Sequence, residues 1–161
     1  MKFYCTATAL AAACAFATPA LGADANSLAG IHWWGYYDYN VIDPEPAQVD
    51  AAARIGARVC EIHTGPYAHA FHAKGRDPRS AAVVAELHKI RDAGAAVRAL
   101  GMRFNAGHAL NYVNVQPVAA LPGVRELHIG HAIVSRAVFV GLREAVRQMK
   151  ALIREAAVQN G

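Results

Sequence analysis

Two stretches of the sequence indicate the fold most clearly. They are G-M-R-F-N-A-G-H at residues 101–108 and G-V-R-E-L-H-I-G-H at residues 123–131. Each predicts a short apolar strand, over 102–106 and 124–129, that runs directly into the dipeptide Gly-His. Glycine lets the backbone approach an anion closely, and histidine adds an imidazole at the same strand end. Two such units in succession predict a site for phosphate binding and proton transfer. The alternative is two ordinary strand-to-helix turns in which glycine merely relieves strain.

The rest of the chain alternates in the same way. A helix is predicted from Asp43, as its N-terminal cap, to Gly56, where the helix stops. The other predicted elements are a strand at 57–63, a mobile loop at 68–79, a helix at 80–100, a short helix at 115–121, and helices on both sides of Gly141 within 131–158. Helices that alternate with continuously apolar strands predict an α/β fold with a parallel sheet.

The strand at 57–63 contains Glu61 inside an otherwise apolar run. Buried strands of parallel sheets seldom carry a carboxylate without a partner or a function. Glu61 is therefore a candidate site residue, and the alternative is a structural ion pair with a neighbouring Arg or Lys. Because sites in parallel sheets gather at the carboxyl ends of the strands, Glu61 and the two Gly-His pairs are expected at one edge.

Composition limits the class of protein. The chain has 161 residues, 55% of them hydrophobic, with a net charge of +4, which suits one globular domain with an ample core. The Lys and Arg residues are dispersed, without a basic block or interleaved aromatic residues, and this argues against nucleic acid as a partner. The three cysteines offer neither a disulfide framework nor zinc-ligand spacing.

The first 41 residues differ from the rest. Residues 1–23 read as a secretory signal peptide, with a thin positive start, an apolar run and small residues before a cleavage site. Residues 24–41 are rich in aromatic residues and contain both tryptophans, Trp33 and Trp34. This segment predicts either a surface that stacks on sugar rings or, as the preferred interpretation, a strand and turn packed on the remaining chain.

From residue 42 onward the chain resembles a known family. The segments that carry the resemblance are I-D-P-E-P-A-Q-V-D-A-A (42–52), E-I-H-T-G-P-Y-A (61–68), N-A-G-H-A-L-N-Y-V-N-V (105–115) and E-L-H-I-G-H-A-I-V-S-R-A-V-F-V-G-L-R-E-A-V-R-Q-M-K (126–150). They resemble the C-terminal half of the pyridoxine 5'-phosphate synthase family. The resemblance implies that residues 42–161 form part of a (β/α)8 TIM-type barrel.

The resemblance also implies an activity. The family condenses 3-amino-2-oxopropyl phosphate with 1-deoxy-D-xylulose 5-phosphate to close the pyridine ring of vitamin B6, releasing inorganic phosphate and water, without a cofactor or metal. His108 matches the family's proton donor, and Glu61 matches a carboxylate that stabilises the transition state. Ala109, Gly130 and His131 match positions that bind the phosphate of the amino-ketone.

Two positions depart from the family's pattern. The family usually has glycine where this chain has Ala109, so a left-handed backbone there would strain the loop by about 1 kcal/mol. It usually has asparagine where His128 stands, and the sequence alone does not predict the effect of that change.

The resemblance covers only part of the family's barrel, so we expect this chain to bind phosphate weakly and not to complete the reaction alone. Open strand edges further predict that the chain forms a homo-oligomer, pairs with another fragment or is poorly stable, with the homo-oligomer preferred. The expected partners are small phosphorylated substrates, with neither nucleic acid nor a membrane involved beyond possible export. The family implies a cytoplasmic location, whereas residues 1–23 argue for export. The alternatives are a secreted carbohydrate-binding protein, or a fusion of unrelated genes near residues 39–44.

Overall fold

A computed structural model describes residues 39–158 of the chain. The signal-peptide prediction for residues 1–23 and the tryptophans of the aromatic segment lie outside the described residues. No helix within 39–158 is both long enough and apolar enough to cross a bilayer.

Strands and helices alternate along the described part of the chain. The strands are β1 (Tyr39–Ile42), β2 (Val59–His63), β3 (Arg103–Gly107) and β4 (Glu126–His128); the helices are α1 (Pro46–Arg54), α2 (Gly65–Ala73), α3 (Ala81–Ala99), α4 (Val115–Ala119), α5 (His131–Val140) and α6 (Leu142–Val158). The four strands form one parallel sheet in the order β1-β2-β3-β4. This confirms the predicted α/β class, and a consecutive parallel order is also the order that a (β/α)8 barrel requires.

The register of the sheet determines which side chains share a face. Glu61 lies opposite Asn105, and Gly107 lies opposite both His63 and His128. Since alternate residues of a strand point to the same side, these five residues lie on one face of the sheet. The residues between them belong to the hydrophobic core, among them Cys60, Ile62, Phe104, Ala106 and Leu127.

Gly94 allows the longest helix to lie close to the sheet. This glycine is buried in the middle of α3, and a Cβ atom there would overlap the ring of Phe104 on β3. Gly94 therefore has a packing role that outweighs its poor helix propensity. Gly101 and Gly141 have φ values of +79° and +81°, and they end α3 and separate α5 from α6, as predicted.

Asp43 does not cap the first helix, so that prediction is wrong. The helix begins at Pro46, and its N-terminal flanking residue is Glu45. Asp43 instead donates its backbone N–H to Oε1 of Gln48 at 2.9 Å. Its carboxylate lies 3.6 Å from Nδ1 of His63, which turns it toward the sheet edge.

The mobile loop predicted at 68–79 is also wrong over its first half, because residues 65–73 form α2. Tyr67, Ala68 and Phe71 are buried on one side of this helix. Tyr67 and Phe71 are four residues apart, the spacing that places two side chains on one helical face. Pro66 lies in the first turn of α2, where the missing N–H of proline costs nothing.

Candidate active site

Glu61 lies at the centre of a hydrogen-bonded cluster. Its side chain is buried, with 6% of the residue exposed. Oε2 accepts a hydrogen bond from the Tyr39 hydroxyl and lies 2.6 Å from Nδ1 of His128. The partners of the carboxylate are thus a phenol and an imidazole rather than the Arg or Lys of the structural alternative.

The charges of this cluster shift the pKa values of its members. Burial, followed by the charge of Glu61 and the hydrogen bond to it, raises the pKa of Tyr39 far above its usual range, so the phenol remains a donor. Burial lowers the pKa of His128, but hydrogen bonds and charges from Glu61 and Glu126 outweigh it and raise the pKa above 6.5. The arrangement therefore favours the protonated form of the His128 imidazole.

Gly107 leaves room for the Glu61 carboxylate. A Cβ atom at this position would overlap Oε1 of Glu61. Gly107 is two residues closer to the carboxyl end of β3 than Asn105, the register partner of Glu61. The carboxylate consequently leans toward the carboxyl end of the strands, which is the functional edge of a parallel sheet.

His108 follows β3 at the same edge and is exposed. Its ring centroid lies 4.4 Å from that of His63, and the two rings are tilted by 52°. The His63 ring also approaches a carboxylate: its Nδ1 lies 3.6 Å from Oδ1 of Asp43. Gly65 keeps space for the His63 ring, since a Cβ there would come within 2.5 Å of it. A carboxylate and two imidazoles therefore run along the ends of β1, β2 and β3.

Thr64 connects the loops that follow β2 and β3. Its hydroxyl is buried and lies 2.6 Å from the carbonyl oxygen of Gly107 and 2.5 Å from that of His108. The Thr64 N–H also donates to the Gly107 carbonyl at 2.8 Å. These contacts hold the backbone of His108 in a conformation that it would not otherwise favour.

That conformation is left-handed at two successive residues. His108 has a φ of +86° and Ala109 a φ of +56°, values that cost about 1–3 kcal/mol for a non-glycine residue. Ala109 thus carries the strain expected from the loss of glycine. The helix that follows His108 is α4, which starts only at Val115. The first Gly-His pair therefore does not begin a helix.

The second Gly-His pair does begin a helix. Gly130 is the N-terminal flanking residue of α5, and His131 is its first residue. Both are exposed. Gly130 has no side chain to cover the first-turn N–H groups, which lack partners within any α-helix and attract anions.

The predicted site residues come together in part. Glu61 packs against Gly107, directly before His108, and it contacts His128, three residues before His131. Within residues 39–158, no direct hydrogen bond or ring contact links Glu61, His108 and His131 to one another. The sequence did not single out Tyr39, Glu126 or Thr64, although the polar ends of the strands were a general signal for this edge.

Side chains that could ligate a metal are not grouped for that purpose in the described part of the chain. No set of three or more His, Cys, Asp or Glu residues there has the geometry to hold an ion. Asp43, His63 and His108 form a row rather than a cluster around one point.

Comparison with known proteins places the chain in a family. The family model described as "Pyridoxal phosphate biosynthesis protein PdxJ" matches residues 30–155. The chain belongs to the PdxJ family. The match spans both Gly-His pairs and Glu61, so the residues that carry the resemblance lie within it.

Curated relatives agree with this family. The chain is 80% identical over 116 residues to the pyridoxine 5'-phosphate synthase of Aromatoleum aromaticum, covering 72% of this chain and 46% of that protein. It is 54% identical over 112 residues to the enzyme of the same name from Rhodopirellula baltica, covering 70% of this chain and 42% of that protein. The chain thus spans just under half the length of these PdxJ relatives.

Proposed function

We propose that this PdxJ chain supplies the part of a pyridoxine 5'-phosphate synthase site that binds 3-amino-2-oxopropyl phosphate. In this proposal Glu61 and His108 act on the condensation of that amino-ketone with 1-deoxy-D-xylulose 5-phosphate, and Ala109, Gly130 and His131 hold its phosphate. The observation that carries the proposal is the buried Glu61 carboxylate, which leans toward the strand edge where His108 lies.

The Glu61 carboxylate suits the stabilisation of positive charge. Ring closure from an amine and a ketone passes through iminium-like positive charge, which a preorganised carboxylate stabilises without reorganising. Tyr39 and His128 both approach Oε2, whereas Oε1 lies beside Gly107 at the carboxyl end of the strands. We therefore assign Oε1 as the oxygen that faces the substrate.

His108 suits proton transfer at the same edge. Ring closure with loss of water and phosphate needs repeated proton transfers, and an imidazole titrates in the range where these occur. The ring of His108 is exposed to a ligand and contacts His63, which is held beside Asp43. The hydrogen bond from the Thr64 hydroxyl to the backbone carbonyl of His108 limits the movement of His108.

The start of α5 suits the phosphate. Its first-turn N–H groups carry the partial positive charge of the helix, and Gly130 leaves them uncovered. His131 adds a side-chain donor at the first position of that helix. Ala109 is exposed after β3 and leaves the backbone of its loop accessible.

The activity of the chain alone is a separate part of the proposal. The matched relatives are more than twice as long as the matched segment, so we expect the 161-residue chain alone not to turn over both substrates. In the described sheet β1 and β4 are the edge strands, and we expect them to pair with further strands in a homo-oligomer. Turnover by the purified chain would contradict the first expectation, and a monomer in sedimentation would contradict the second.

The place where the chain acts is likewise proposed. Phosphorylated substrates of this kind are made and kept in the cytoplasm, so we propose that location and not the export that residues 1–23 suggest. Fractionation of cells that express the tagged chain tests this, and recovery from the secreted fraction would contradict it.

Calorimetric titration tests the binding function. We expect the chain to bind both 3-amino-2-oxopropyl phosphate and inorganic phosphate, and His131→Asn to weaken both. Glu61→Gln should weaken the amino-ketone phosphate by about tenfold, the loss of one charge-assisted contact, and leave inorganic phosphate unchanged. Glu86→Gln on α3 removes a carboxylate that pairs with Lys89 of the same helix and serves as the matched control. Absence of binding by the unaltered chain, or an equal effect of both Glu→Gln changes, would contradict the proposal.

A further inference from the structure

The ring of His128, which lies on β4, contacts side chains of the other three strands. Nδ1 lies 2.6 Å from Oε2 of Glu61 on β2 and 2.5 Å from the hydroxyl of Tyr39 on β1. Nε2 lies 3.6 Å from Oε2 of Glu126 and 3.4 Å from Nδ2 of Asn105. Both nitrogens are donors when the ring is protonated, and Oε2 of Glu126, 3.4 Å from Nδ2, is the acceptor next to both. The rings of Tyr39 and His128 are nearly parallel, at 12°, with centroids 5.5 Å apart. These contacts restrict the imidazole to one orientation.

The charge balance around this ring requires a cation. Glu61 and Glu126 flank the imidazole at opposite nitrogens, and both carboxylates are largely buried. Tyr39 remains neutral, and β3 contributes the neutral amide of Asn105. Burial of a carboxylate costs free energy unless the group is paired and hydrogen-bonded. A protonated His128 is the positive group that contacts both carboxylates within residues 39–158.

We propose that His128 is a positioning residue for Glu61: its imidazolium pairs with Oε2 and keeps the carboxylate turned toward Gly107 and the strand edge. The inference rests on the proposed function, in which the Glu61 carboxylate faces the positive charge of the reacting amino-ketone. Nδ1–H donates to Oε2, so Oε1 stays directed to the ligand. His128 itself does not contact the ligand in this role.

An asparagine at position 128 would serve differently. Its amide can still donate a hydrogen bond to Oε2, but it carries no charge. The Glu61 carboxylate would then lose its counter-ion, and no imidazole ring would link it to Glu126. His128→Asn therefore separates the effect of charge from the effect of a hydrogen bond.

Histidine titration by NMR tests the pairing without reference to any activity. The His128 signal is assigned by its loss in His128→Asn, and its midpoint is followed in Glu61→Gln and Glu61→Asp. We expect Glu61→Gln to lower the midpoint by about one pH unit or more, as removal of a contacting opposite charge does. Glu61→Asp retains the charge and should lower it less, and the surface control Glu86→Gln should leave it unchanged. An unchanged midpoint in Glu61→Gln would overturn the inference.

Ligand titration tests the positioning role. We expect His128→Asn to weaken 3-amino-2-oxopropyl phosphate by about tenfold and to leave inorganic phosphate unchanged. The exposed control His88→Asn should alter neither ligand. Equal weakening of both ligands by His128→Asn would show a merely structural role and overturn the inference. If the unaltered chain binds neither ligand, the proposed function and the positioning role fail together, while the NMR experiment still decides the His128–Glu61 pairing.

Discussion

The hydroxyl of Thr64 lies 2.5 Å from the carbonyl oxygen of His108, and this contact fastens the loop after β3 to the loop after β2. His108 has a φ of +86°, so its backbone needs support from its surroundings. Thr64 is fully buried and provides that support from directly after β2, 44 residues earlier in the chain. A single hydroxyl thereby connects the ends of the two central strands, β2 and β3, at the sheet edge on which the candidate site is built.

Replacement of Thr64 by valine tests this connection. Thr64→Val keeps the shape of the side chain but removes the hydroxyl donor, so the half-buried His108 carbonyl loses this partner while the Gly107 carbonyl keeps the Thr64 N–H. We expect the free energy of unfolding to fall by about 1–3 kcal/mol, measured by urea denaturation. Ser135→Ala, on the exposed side of α5, serves as the control. Unchanged stability in Thr64→Val would contradict the role of the hydroxyl.

Gly94→Ala tests the packing of α3 on the sheet. Helix propensity alone predicts that alanine would stabilise the helix by about 1 kcal/mol. The ring of Phe104 occupies the space that the new methyl group needs, so we expect a loss of about 1–3 kcal/mol in the free energy of unfolding. A gain in stability would show that α3 does not approach β3 as closely as described.

Ala109→Gly tests the strain at the phosphate-binding loop. The φ of Ala109 is +56°, which glycine adopts at little cost. Relief of about 1–2 kcal/mol of left-handed strain exceeds the extra chain entropy of glycine, which costs about 0.4–1 kcal/mol. We therefore expect a small net stabilisation.

The control for this change is Ala85→Gly, at an exposed position inside α3. There the backbone is helical, and glycine should destabilise the protein by about 0.5–1 kcal/mol. Opposite signs for the two Ala→Gly changes are the expected result, and destabilisation by both would contradict the strain at Ala109.

The pH dependence of stability tests the charge on His128. Its folded-state pKa is raised above 6.5, so the folded protein binds the proton more tightly than the unfolded chain does. The resulting stabilisation is complete below about pH 6.5 and is lost as the pH rises through the folded-state pKa. The stability difference between the unaltered chain and His128→Asn should therefore shrink as the pH rises from about 6.5 through the folded-state pKa of His128. A difference that grows over this range would contradict the sign, and His88→Asn should show no such trend.

Much of the fold could be predicted because its signals are local. Continuous apolar strands between helices predict a parallel sheet, and the glycines at 101 and 141 end helices through their own backbone conformation. The start of α2 could not be predicted in this way, since Gly-Pro at 65–66 occurs both in turns and in first helical turns. The burial of Tyr67 and Phe71 decides in favour of the helix, and burial depends on the tertiary structure.

The candidate site could be predicted only in outline. Glu61 is conspicuous as a carboxylate in an apolar strand, but its partners are 22 and 67 residues away in the sequence. The registers of all four strands bring Tyr39 and His128 to it, and a register is not readable from one strand. The positive φ of His108 likewise depends on Thr64, whose hydroxyl gives no signal of its role in the sequence.

The most direct test of the site is an NMR titration of the labelled chain with 3-amino-2-oxopropyl phosphate. We expect the resonances of His108, Ala109, Gly130 and His131 to shift together along one saturation curve, and Glu61→Gln to move this curve to higher ligand concentration. Shifts confined to α1 or α3, or separate curves for the loop after β3 and the start of α5, would contradict a single site at this edge.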